Sequence, residues 1–474
     1  MPHTACEVPV TRTQAASIFR KTAESFESGA KSLPQRYFIS PEVFAQEQER
    51  IFSRQWVLVG HQSAITQPGD YFISEVANES LIVVRDKRGE IRGFYNVCRH
   101  RGSRLIESRN GQLSAVIQCP YHAWTYALDG RLLGAPHMDD VRGFNKANYS
   151  LHPVNVAIWE GFIFLNLAGS GPLISSCISA TSRSARPLPR GGAGHVAVPD
   201  SSILSHSHSP ALTGASRPSL PQGEKRERLK QDGFVSLEDW FAPLKGKFSR
   251  WNLPALRSAK RIEYDVRANW KLIFENYSEC YHCLGVHPEL SKISPYDSAE
   301  NDLTEGPFLG GFMRIAKGRS LTMSGNACAL GIAGASRARD HAPAHNRNSS
   351  QKIEDDYDHE PEHDGKNRVF YYSIFPNMLL SLHPDYVMVH QLQPQSPDRS
   401  LILCDWFFHP EAFKHSDCNP DDAIEFWDMV NRQDWHVCEL SQQGIASRAY
   451  EPGPYSARES IPAAWDREYL RNLQ

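Results

Sequence analysis

Between residues 41 and 167, short runs of β-branched and aromatic residues recur every few positions: LIVVR at 81–85, IRGFYNV at 91–97, AVIQ at 115–118 and FIFL at 162–165. Gly, Asn and Asp separate them, as in DKRG at 86–89 and DG at 129–130, which is the punctuation of antiparallel hairpins. An all-β domain is predicted there. From 168 to 231 the pattern collapses. Ser, Pro, Arg, Gly and Ala dominate, aromatics vanish, and 201–210 reads SSILSHSHSP. Such a stretch buries too little apolar surface to offset the entropy of ordering it, so it reads as a disordered insertion.

Apolar periodicity returns after 233, with an amphipathic pattern at 237–256 and a predicted helix at about 268–284. The charged stretch 336–366 reads as a solvated loop insertion. Strand-like runs follow at 369–375, 378–382, 386–392 and 401–408, and a helical pattern covers 421–443. Together these predict an α+β protein: an N-terminal all-β domain, then a C-terminal antiparallel sheet covered by helices. The predicted division is an N-terminal helical segment at 1–44, the β domain at 45–167, the insertion at 168–231 and the second domain at 232–474.

A length of 474 residues suits two or three domains with their own cores. With 51 Lys and Arg against 54 Asp and Glu, the net charge of −3 provides no basic field for nucleic acid or an anionic membrane. The longest apolar runs, at 162–165 and 378–380, fall far short of the roughly 18 residues that cross a bilayer. Ten Cys are too sparse for a disulfide scaffold, and residues 1–31 lack the apolar stretch of a secretory signal, so a reducing cytoplasmic setting is expected. There, paired Cys and His more often ligate metals than form crosslinks.

Two such pairs stand out. Cys98-Arg-His100 and Cys119-Pro-Tyr-His122 are separated by eighteen residues, each just after a predicted strand. Two thiolates suit Fe–S chemistry, and two neutral imidazoles on the second iron raise its potential; that asymmetry is the Rieske [2Fe-2S] arrangement. A Cys2His2 zinc site uses the same residue types, usually as C-x2-4-C with H-x3-5-H rather than as two mixed pairs. The segments CRHRG at 98–102 and CPYHAW at 119–124 resemble the two signatures of Rieske non-haem iron oxygenases. In two respects they depart from the family: the spacer is about one residue longer than usual, and Ala123 stands where Gly is common.

A second constellation lies at 269–287, NWKLIFENYSECYHCLGVH. His282 and His287 are five apart, off one helix face, so they meet one metal only if the helix breaks between them; Gly285 and Pro288 supply the reason. With Glu279 this resembles the D/E-x2-H-x4-H signature of the mononuclear iron site in Rieske oxygenase α subunits. The third ligand, a carboxylate, is expected from the C-terminal helix. There Trp427, Val430, Asp434, Val437, Cys438 and Ser441 form one stripe that places Asp434 on a largely apolar face, whereas Asp428 and Glu439 lie off it.

The resemblance implies a helix-grip-like catalytic domain, a [2Fe-2S] cluster held by Cys98, His100, Cys119 and His122, and Fe(II) held by His282, His287 and Asp434. It further implies that Glu279 bridges metal sites of neighbouring subunits in a homotrimer, that Asn276 supports the iron site, and that a separate NAD(P)H-dependent reductase or ferredoxin supplies electrons. The run ENYSECYH resembles the choline, carnitine and glycine-betaine oxygenases, with choline to betaine aldehyde hydrate as the leading reaction. Tyr371, Tyr372, Phe375, Trp406 and Phe407 offer faces for a methylammonium group. An aromatic-ring dioxygenase or N-demethylase would use the same metals; a zinc-stabilised binding protein would hold neither iron nor sulfide.

Overall fold

The computed structural model describes residues 18–169, 235–328 and 367–474, apart from 415 and 417. The expected insertion at 336–366, and that at 168–231 apart from its first two residues, lie outside the described residues.

The N-terminal part is built as predicted from hairpins. Seven antiparallel strands run in the order Val57–His61, Phe162–Asn166, Pro153–Trp159, Ile91–Tyr95, Glu79–Arg85, Asp70–Val76 and Asn110–Gln112. A separate three-stranded sheet joins Val116–Gln118, Thr125–Ala127 and Leu132–Gly134. Between them lies a small core of its own, with Ile82, Phe94, Trp124 and Tyr126 buried under the two Cys/His loops.

The C-terminal part is an eight-stranded antiparallel sheet. Its order is Arg20–Lys21, Glu300–Leu303, Phe308–Arg314, Arg368–Ile374, Met378–Leu382, Val387–Ser396, Arg399–Phe408 and Arg257–Val266. Its central strands are buried over Met378–Leu382 and Val387–Leu392 because both faces are covered there. Phe407 points to one face, 5.8 Å from Phe162 of the seven-stranded sheet. On the other face lies the helix Pro420–Ile445, which starts at the Asn419 cap.

Residues 237–256 carry their amphipathic pattern on short helical turns, interrupted at Pro243, Gly246 and Pro254. Two expectations are corrected. The helix expected at 268–284 is shorter, Trp270–Tyr277, and is followed after a break by Cys283–Val286 and Pro288–Ile293. The segment before residue 44 is not simply helical: Arg20–Lys21 extends the catalytic sheet beside Glu300–Leu303. Just past it, Glu47 makes a fully buried 2.6 Å ion pair with Lys271. Cys328 and Cys418 form a disulfide with Cα atoms 4.4 Å apart. Sparse cysteines gave no sign of it, because spacing does not encode connectivity.

Candidate metal centres

The two Cys/His loops share one hydrogen-bonding scheme. In the first, Cys98 N–H donates to Ser103 O and Gly102 N–H returns to Cys98 O; in the second, Cys119 N–H donates to Trp124 O and Ala123 N–H returns to Cys119 O. Each loop thus needs a left-handed residue four places after its cysteine, and Gly102 (φ 73°) and Ala123 (φ 57°) fill that place. This is why Gly is favoured at 123, and why an L-alanine there is strained.

Both cysteines are buried, His100 is exposed, and the rings of His100 and His122 lie 4.7 Å apart. Two adjacent thiols inside and two imidazoles outside match the donor set of a Rieske cluster. Trp124 stacks on His100 at 4.8 Å and fixes its plane. Tyr126, not anticipated from the sequence, accepts from Arg99 N–H at 3.0 Å, so its own proton is left for Cys98 Sγ at 3.2 Å.

At the second site the helix Trp270–Tyr277 ends at Ser278, and the Glu279 carboxylate turns the chain by accepting from the backbone N–H groups of Tyr281 and His282. Past that turn the short helix Cys283–Val286 runs from His282 to His287, where the chain leaves the helical conformation (φ −121°, ψ 71°) before Pro288, and the two rings meet 5.1 Å apart. Asp434 Oδ1 lies 2.8 Å from His287 Nε2 and 3.2 Å from His282 Nε2, so three candidate ligand atoms converge on one point. Each histidine is oriented from behind: His282 Nδ1 meets Glu279 at 2.6 Å, and His287 Nδ1 meets Gln433 Oε1 at 2.8 Å. Carbonyl and carboxylate oxygens only accept there, so each Nδ1 keeps its proton and Nε2 is the atom that gives up a proton to bind a cation. Burial opposes charge on His282, yet bonds to Asp434 and Glu279 outweigh it and raise the pKa to about 11. Burial likewise opposes charge on Asp434, but bonds from His282 and His287 bring it down to about 2. A buried carboxylate held so firmly anionic is what a divalent cation requires.

Asp428 and Glu439 are engaged elsewhere, with Tyr264 and with the Arg267 backbone. Asn276 lines the cavity but bonds neither histidine among the described residues; Gln433, missed in the sequence, takes the supporting place behind His287.

The three groups open on a cavity of about 510 Å³. Tyr277, Tyr281, Tyr296, Tyr371, Trp427 and Trp435 line it. Of the five aromatics expected to face substrate, only Tyr371 does so, because strand alternation turns Tyr372 to Asp302 and Phe407 to the neighbouring sheet. At Gly310 (φ 135°) a Cβ would meet Tyr371 O at 2.0 Å, so only glycine permits this close strand pairing at the cavity wall.

Comparisons with known proteins agree with this geometry. The family model for the Rieske [2Fe-2S] domain matches residues 55–145, and that for the ring hydroxylating alpha subunit catalytic domain matches residues 253–474. The chain is 29% identical over 445 residues to the glycine betaine monooxygenase oxygenase subunit of Chromohalobacter salexigens, covering 90% of this chain and 82% of that one. To the chloroplastic choline monooxygenase of Arabidopsis thaliana it is 24% identical, over 95% of this chain and 86% of that one. The solved quaternary ammonium Rieske monooxygenase CntA has the same fold, with a TM-score of 0.64 at 23% identity over 94% of this chain and 96% of that one. With a Rieske [2Fe-2S] domain followed by a catalytic domain that uses mononuclear iron, the chain belongs to the α subunits of the Rieske non-haem iron oxygenases.

Proposed function

We propose that this chain is the oxygenase component that hydroxylates a carbon next to the charged nitrogen of a small quaternary amine. O2, two electrons and two protons convert one C–H bond to C–OH and release one water. The observation that carries this reading is the convergence of His282, His287 and Asp434 on the wall of an aromatic-lined cavity.

In this reading Cys98, His100, Cys119 and His122 hold the cluster, and His282, His287 and Asp434 hold Fe(II). When loaded, the two centres supply one-electron transfer and O2 activation. The protein's own part is to fix both imidazole tautomers through Glu279 and Gln433, and to hold the ammonium against Tyr and Trp faces, which attract cations. Electrons come from a separate reductase, as in other oxygenase α subunits.

A homotrimer, in which Glu279 also accepts from a Rieske histidine of the next subunit, fits the exposure of His100 and a closed head-to-tail ring. A reducing cytoplasmic setting is supported by the free thiols of Cys280 and Cys283 beside the iron site, with Cys328–Cys418 as the exception. No helix among the described residues is long and apolar enough to cross a membrane.

Anaerobic purification with iron and sulfide assays, followed by product analysis with choline, glycine betaine, carnitine and simple arenes, tests the proposal. Attack on an N-methyl group would release formaldehyde. Absence of sulfide, or turnover of arenes alone, would sink it.

A further inference from the structure

We propose that Arg458, assisted by Lys21, is a specificity-determining residue that anchors the carboxylate of a zwitterionic quaternary ammonium substrate at the mouth of the catalytic cavity. The inference deepens the quaternary-amine reading and rests on it.

The cavity that reaches His282, His287 and Asp434 is also lined by two exposed cations, Lys21 and Arg458. Neither is ion-paired among the described residues. The guanidinium carbon of Arg458 sits 5.1 Å from the ring centroid of Tyr296, another lining residue. A guanidinium held by its face on a ring keeps its in-plane N–H fork free, and that fork matches a carboxylate with two parallel hydrogen bonds. Lys21 is carried to the same opening by the short N-terminal strand, where its backbone lies in register with that of Glu300 on the sheet edge, while the Glu300 carboxylate bonds Arg314.

The acids in the cavity do not cancel these charges. Asp434 and Glu279 are bound to the histidines, and Asp297, exposed at the opening, forms an ion pair with neither cation. The mouth is therefore net positive while the interior is aromatic. Choline offers a hydroxyl and no negative charge to this end, so its lone cation meets repulsion on entry. Glycine betaine and carnitine each carry a carboxylate set off from the ammonium by carbon, the polarity that a positive rim and an aromatic interior accept.

The test uses the full-length, iron- and sulfide-loaded enzyme with its electron donor, as parent, R458A and R458K, against glycine betaine, carnitine and choline. Arg458 is exposed, so iron content and the Rieske absorption of the variants should match the parent. R458A is expected to raise KM for the two carboxylates ~10-fold, the effect of losing a charge-assisted bidentate contact. Its kcat should hold within about twofold, since uniform binding is lost rather than transition-state binding. Choline's KM should stay level or fall, and R458K should recover part of the loss. Equal change for choline and glycine betaine, or no change for either, overturns the anchor while leaving the quaternary-amine reading intact. Failure of the parent on all three substrates overturns both.

Discussion

At the Cys/His loops every candidate ligand lies within 25 residues of the others and His100 stands in solvent, whereas at the iron site His287 is 1% exposed and its partner Asp434 lies 147 residues away. The first site is two copies of one loop. The second is a meeting of a broken helix with the long helix that covers the face of a sheet. An electron-entry site needs an exposed edge and little reorganisation. A site for O2 chemistry needs walls that exclude water, and only the folded domain can supply them. Exposure and locality therefore go together here, as do enclosure and long-range assembly.

Removing the distant candidate ligand tests this separation most severely. Asp434→Ala should lower iron affinity by more than ~100-fold, beyond the effect expected of an outer-shell change, and abolish oxygenation while the Rieske absorption persists. Loss of both chromophore and iron in a folded protein would show that the two sites are not independent. One shell out, Gln433→Leu leaves His287 free to rotate or change tautomer. A ~10–100-fold loss of iron affinity is expected in a chelator competition, again with an intact cluster.

Smaller effects belong to the loops. Tyr126→Phe removes the hydrogen bond to Cys98 Sγ, which favours the more negative, reduced cluster. A difference of ~1 kcal/mol between redox states corresponds to roughly 40 mV for one electron, so the midpoint should fall by about that much in a protein-film or dye titration. No shift would mean that the hydroxyl bonds Cys98 equally in both states. Smallest is Ala123→Gly. It relieves the left-handed strain, but glycine's added freedom when unfolded takes back part of the gain, leaving at most about 1 kcal/mol of stabilisation. Thermal bleaching of the cluster at a slightly higher temperature would report it, and an unchanged midpoint would say that the loop absorbs the strain elsewhere.

The same contrast governs what the sequence discloses. Cys98, His100, Cys119 and His122 are legible because a loop of five residues carries its own geometry in its own letters. His282 and His287 are legible as a pair because Pro288 ends the helical turn at His287, whereas Gly285 sits inside that turn, and Glu279, which makes the turn before it, carries no local sign of that task. Asp434 can be read from an acid on an apolar helical stripe. Gln433, its neighbour, cannot, since one more polar residue on a helix looks solvated until His287 is folded against it. The cavity aromatics fail for a similar reason: composition counts rings, while strand alternation decides which of them face inward. The strand Arg20–Lys21 was invisible because two residues have no period, and only the waiting edge at Glu300–Leu303 makes them a strand.

That early segment also sets a timetable. Glu47 is wholly buried, and its carboxylate accepts from Trp270, Lys271 and Tyr469, the last 422 residues further along the chain. At ribosomal rates of about 5–20 residues per second, roughly 20 to 80 seconds separate the emergence of Glu47 from that of its final partner. During that interval the seven-stranded domain between them can fold alone, since its partners are near in sequence, while the catalytic sheet waits for the end of the chain. Glu47, early in this sequence, is thus among the last residues to find its full set of partners.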